Sequence, residues 1–134
     1  MSDAVPRTVA VCAMVLALVA GSACGDDDDS SLTLVVYESF PTEGTPINDR
    51  LDDFTAETGI DVDLLVAGDT GTMLSKAELT AGNPEGDVMW GIDNTFLSRA
   101  VDAGIFEPYE ADGLDAIPEP FTSLVPDGAA TPVD

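Results

Sequence analysis

The chain has 134 residues, enough for one domain, and sets four Lys+Arg against 26 Asp+Glu for a formal net charge of -22. Such acidity opposes nucleic acid, whose phosphates would repel it, and a basic docking patch for anionic lipid. Histidine is absent and the two cysteines, Cys12 and Cys24, both lie near the N-terminus, which excludes a Cys/His zinc site, a Ser-His-Asp triad and a Cys-His pair; the 45% hydrophobic content excludes wholesale disorder.

Residues 1–23 read as an export signal. Arg7 supplies the positive start, and 9–20 is an unbroken apolar run shorter than the ~20 residues of a membrane span. Gly21, Ser22 and Ala23 then precede Cys24, an arrangement that resembles a bacterial lipobox, with Gly21 where Leu is usual. The expectation is lipidation at Cys24 and a lipoprotein held on the extracytoplasmic face of the cell membrane, periplasmic or at the cell surface. The plainer alternatives are a secretory signal cut after Ala23 and a short uncleaved anchor. Residues 24–31 join the lipidated Cys to GDDDDSS, where four adjacent carboxylates repel one another; a solvated tether is favoured over a cation site.

The folded part starts at 32–37, LTLVVY, a run apolar enough for a strand covered on both faces. Thr45 and Pro46 open a helix whose inner face carries Ile47, Leu51 and Phe54, and Gly59 ends it. A second strand follows at 60–67. The stretch 68–72, GDTGT, reads as a tight loop, with a helix from about 73 to 81 after it. The third strand is 87–91, DVMWG. Asp93 or Asn94 caps a third helix over about 95–103, whose buried face is Phe96, Leu97, Ala100 and Val101. Beyond Gly104 the periodicity fades, and 111–132 reads as irregular with room for one short helix near Leu114 or Phe121.

The β-α-β-α-β-α order predicts an α/β fold with a parallel sheet, and a central first strand gives the spatial order 2-1-3. Ligands of such sheets bind beyond the carboxyl ends of the strands, at the switch point beside the first one. The residues gathered there are Tyr37, Glu38 and Ser39, then Asp69, Thr70 and Gly71, then Asp93 and Asn94. Two readings stay open. The acids and Asn94 serve as helix caps, or three carboxylates focus a negative field that attracts a cationic solute. The Gly68–Thr72 stretch adds backbone donors at a helix start, suited to an anionic group. Tyr37 either stacks on a flat cationic ring or is a half-buried strand-end residue. For Trp90, core packing is the favoured reading.

These residues resemble the first part of the thiamine-binding periplasmic proteins, the substrate-binding components of thiamine ABC transporters within the type II periplasmic binding protein superfamily. The likeness is carried by 32–40 (LTLVVYESF), Val66 and Ala67 with the glycine-bearing stretch after them, 87–97 (DVMWGIDNTFL), 103–106 (AGIF) and 131–134 (TPVD). It covers residues 32–134. It implies a lobe of a two-lobed α/β protein that closes on thiamine or a thiamine phosphate and delivers it to an ABC permease, with no cofactor. It also implies that Tyr37 packs on the ligand ring and that Thr70 and Gly71 bind from their loop; Glu38 stands where the family commonly has Asp. On the same resemblance, 32–134 is a partial first lobe that stops near the hinge, 131–134 begins a crossing strand, and the fragment binds thiamine weakly or not at all.

Two other functions compete. The same architecture could take a polyamine or ferric iron. The acids suit a polyamine, while iron binders of this class lean on Tyr pairs and often His, and this chain has two Tyr and no His. An exported hydrolase using Asp69 and Asp93 as an acid/base pair is disfavoured, because no nucleophile or metal site accompanies them.

Overall fold

A strand covered on both faces must be apolar along its covered part, and in Ser31–Val36 (β1) that part is the second half: Leu34, Val35 and Val36 are all buried, while Ser31 is exposed. The computed structural model describes residues 30–125 and 128–133, so the export signal 1–23, Cys24 and the acidic run through position 29 lie outside the described residues. β1 is flanked by Asp61–Val66 (β2) and Val88–Trp90 (β3) in a parallel sheet of order β2-β1-β3. The register pairs Ser31 with Asp61 through Val36 with Val66, and Leu34 with Val88 through Val36 with Trp90. The expected α/β class and 2-1-3 order are therefore observed. β1 keeps the expected length but starts one residue earlier, while β2 and β3 each lose a residue at both ends of the expected run, where the chain turns.

Successive side chains of a strand alternate between faces, so β1 feeds two cores. On one face Leu34 and Val36 pack with Phe40, joined by Ile47 and Leu51 of the helix Pro46–Thr58 (α1) and by Trp90. On the other, Val35 packs with Ala67 and with Met73 of the helix Thr70–Leu79 (α2), joined by Leu65, Met89 and Ile92. Helices on both faces are what a β-α-β-α-β chain requires.

The expected boundaries of α1 hold. Asn48 Oδ1 accepts from the Thr45 N–H at 3.0 Å and from its hydroxyl at 2.8 Å, while Asn48 Nδ2 donates to the Pro41 carbonyl at 2.9 Å. Gly59 closes the helix at φ 74°, in the left-handed region that glycine enters at little cost. Phe54 departs from expectation: it follows the helical spacing but is 38% exposed, at the margin of the face that Ile47 and Leu51 cover.

The largest correction concerns 68–72. It is not a loop, because α2 begins at Thr70 with Asp69 as its N-cap. Thr and Gly are poor helix formers, yet the cap and the burial of Met73 and Leu74 outweigh their preference. The third helix, Leu97–Asp102 (α3), is shorter than expected, and its one fully buried residue is Ala100. Arg99 ties α3 to α2: its Nε donates to Glu78 Oε1 at 2.8 Å and its NH2 group to Ser75 Oγ at 3.1 Å.

β3 is held to β1 beyond their paired residues. The Asp87 N–H donates to the Thr33 carbonyl and Asp87 Oδ2 accepts from the Thr33 N–H, both at 2.9 Å. Gly86 comes so close that a Cβ there would sit 2.5 Å from Val35 Cγ2 and 3.0 Å from the Thr33 carbonyl oxygen. The C-terminal stretch holds a 3₁₀ turn at Leu114–Ala116 and the one-turn helix Glu119–Thr122 (α4), so both expected places for a short helix are used. Thr131, Pro132 and Val133 form no strand. Pro132 instead lines an open groove of 470 Å³ with Tyr109, Leu114 and Val125.

Candidate functional site

The three βα turns meet at the carboxyl edge of the sheet. The first and second are joined by the Glu38 N–H, which donates to the Gly68 carbonyl at 2.8 Å. The second and third are joined by the Thr70 hydroxyl, which donates to the Gly91 carbonyl at 3.1 Å. The first and third are joined by packing, since the Tyr37 ring lies against Gly91 so closely that a Cβ there would fall 3.1 Å from its Cε1. Tyr37 touches both hydrophobic cores, and its ring meets Phe40 edge-on at 6.4 Å and 80°. Phe40 in turn meets Trp90 at 5.8 Å. Trp90 and Tyr37 are both half-buried and pack against the core from its margin.

The eight residues expected at the switch point lie on these turns, with different surroundings. Glu38, Ser39 and Asn94 are exposed. Asp69 Oδ1 accepts from the Thr72 N–H at 2.6 Å, so this carboxylate fills the start of α2. That position therefore does not offer its donors to an anionic group as the sequence suggested. Asp93 Oδ1 accepts from the N–H groups of Thr95 at 2.9 Å and Phe96 at 3.1 Å, in the turn before α3; the N-cap of that helix is Phe96, which makes no side-chain cap bond, so Asp93 holds the turn rather than the helix start. Thr70 is engaged with Gly91, and Gly71 lies under the ring of Phe96, whose Cζ would be 3.4 Å from a Cβ at position 71. Gly68 and Gly91, read from the sequence as the starts of the second and third turns, and Phe96, expected on the buried face of the third helix, complete the junction. The glycines mark where the chain turns, but the sequence does not say which side chain fills the space beside them.

The Thr72 backbone N–H and then the Thr72 hydroxyl, with a lesser part from the Gly71 N–H, hold the Asp69 carboxyl below its ordinary value of 3.8, against an opposing effect of desolvation. A carboxyl whose pKa falls on folding stabilises the native state above its unfolded value and loses that contribution as pH drops through the folded one. Asp69→Ala is accordingly expected to lower the urea midpoint at neutral pH. The gap from wild type should close as pH is taken below 3.8; a gap that stays constant would assign the cap no charge-dependent role.

Chemically, the edge offers carboxylates, a phenol and hydroxyls, with neither thiol nor imidazole among the described residues. No group of three His, Cys, Asp or Glu side chains placed to hold a metal ion occurs among those residues, and none of their helices is long and apolar enough to cross a membrane. No family model matches the chain. Over 76 residues it is 38% identical to a protein named Iron uptake protein A1 from Synechocystis sp. (strain ATCC 27184 / PCC 6803 / Kazusa). The match takes in 56% of this chain and 20% of that protein, so the chain spans about a fifth of the length of the curated relative it matches.

Proposed function

We propose that the chain forms one wall of an extracytoplasmic solute-binding protein that captures a cation and passes it to an ABC permease, without catalysing a reaction. Ferric iron is the first candidate. The observation that carries the reading is the junction itself: the linked turns bring Tyr37 and Glu38, from the first, and Asp93, from the third, to one edge of the sheet in a chain of net charge -22. Anionic oxygen donors suit a small trivalent ion, and the name of the relative points the same way. Thiamine is the second reading, favoured by the sequence 91–97 and by the half-buried ring of Tyr37, which suits stacking on a flat cation. Export, lipidation at Cys24 and anchoring to the membrane belong to the same proposal.

Glu38, Ser39, Asp69, Asp93 and Asn94 are all exposed, so a solute here is covered from one side only and binding is weak, with Kd on the order of 0.1–1 mM. Calorimetric titration of the protein with ferric nitrilotriacetate, thiamine and spermidine, at moderate salt, tests this. Saturable binding of the iron complex, with a visible tyrosinate–iron band that Tyr37→Phe abolishes, is the expected result. Saturation by thiamine alone would transfer the proposal to the vitamin. Binding that disappears on adding salt, or that Tyr37→Phe leaves unchanged for every probe, would overturn it.

A further inference from the structure

We infer that Thr70 is a positioning residue for Tyr37, acting through Gly91, and that it does not itself contact the solute. This rests on the binding role proposed for the carboxyl edge and assigns how that edge is kept in shape.

The Thr70 hydroxyl spans 21 residues of sequence to reach the Gly91 carbonyl, in a partly buried position. Gly91 stands at φ 112°, where a side chain is disfavoured, and its bare Cα is the surface on which the Tyr37 ring rests. A ring seated on a backbone segment goes where that segment goes. The hydrogen bond fixes the peptide after Gly91, the peptide fixes the seat, and the seat fixes the ring. The Glu38 N–H to Gly68 carbonyl bond then closes a loop of contacts through all three turns. Of these links only Thr70 contributes a side-chain hydrogen bond, so it is the one a substitution can remove without touching the ring or its seat. Whether the ring offers its face or its phenolate to a cation, affinity depends on where it is held.

The test uses the full chain carrying Tyr109→Phe and fluorotyrosine, which leaves Tyr37 as the one labelled ring. Thr70→Val removes the hydroxyl and keeps the shape; Thr70→Ser restores it. The expected result is a shifted and broadened Tyr37 fluorine resonance in Thr70→Val, about tenfold weaker binding of ferric nitrilotriacetate or thiamine, and recovery of both in Thr70→Ser. If Thr70→Val fails to fold, judged by Trp90 emission, Thr70→Ala is read in its place. An unchanged resonance on loss of the hydroxyl, or no recovery with Ser, overturns the inference. Probe binding lost in Thr70→Val with the resonance unmoved would make Thr70 a direct contact instead. If the parent protein binds neither probe, the binding role fails, while the resonance still decides whether Thr70 sets the ring.

Discussion

Gly91→Ala should destabilise the protein by roughly 2–6 kcal/mol and drive Tyr37 from its place, because two costs fall on one atom. The left-handed φ of 112° is strained for any residue with a Cβ, worth about 1–3 kcal/mol. The new methyl also overlaps the Tyr37 ring, and overpacking of this kind costs about 1–3 kcal/mol. Urea unfolding followed by Trp90 emission gives the size, and near-UV circular dichroism reports the ring. A double-mutant cycle with Tyr37→Ala separates the two terms: the backbone strain persists in both backgrounds, so a coupling of about 1 kcal/mol or more isolates the clash. A single variant within about 0.5 kcal/mol of wild type would mean that the junction yields freely and could not hold a solute-binding ring in place.

Met73→Ala is the second large effect. Met73 is 1% exposed and packs against Val35 and Ala67 on the face of the sheet away from α1. Removing a fully buried side chain of that size costs about 2–5 kcal/mol, a large part of the ~5–15 kcal/mol that holds a domain together. With a urea slope of about 2 kcal/mol/M, the midpoint should fall by roughly 1–2 M. Met73→Leu conserves volume and should cost under about 1.5 kcal/mol. Leu79, on the same helix but 87% exposed, provides the contrast: Leu79→Ala should stay within about 0.5 kcal/mol of wild type. Equal losses at 73 and 79 would show that α2 does not pack as described.

The sheet was legible because 32–37 leaves little choice. An apolar run with no helical period, placed before two further runs separated by helical spacing, reads as a covered central strand. Caps were legible where one residue type does one job, as with Thr45, Pro46 and Gly59. The stretch from Asp69 to Thr72 misled for a physical reason. Local preference disfavours a helix there, and the Asp69 cap together with the tertiary burial of Met73 and Leu74 pulls its start back to Thr70. Phe54 misled in the opposite sense, since spacing assigns a face but not where cover on that face ends.

The candidate site was legible as a place rather than as a mechanism. The rule about strand ends put Tyr37, Thr70 and Asp93 on neighbouring turns. It could not reveal that Thr70 reaches the Gly91 carbonyl or that Tyr37 needs position 91 bare. Contacts between residues 21 and 54 apart in sequence leave no local pattern to read.

Gly86 imposes a limit on descent. A methyl group there would press on the Thr33 carbonyl oxygen, a backbone atom that cannot swing aside as a side chain can. Any lineage that replaces this glycine must first splay the two strands or trim Val35, so the site should act as a one-way gate for sequence drift. Relatives that carry a larger residue at 86 are expected to show a smaller one at 35, and a survey of paired substitutions at those two positions would reveal the bargain.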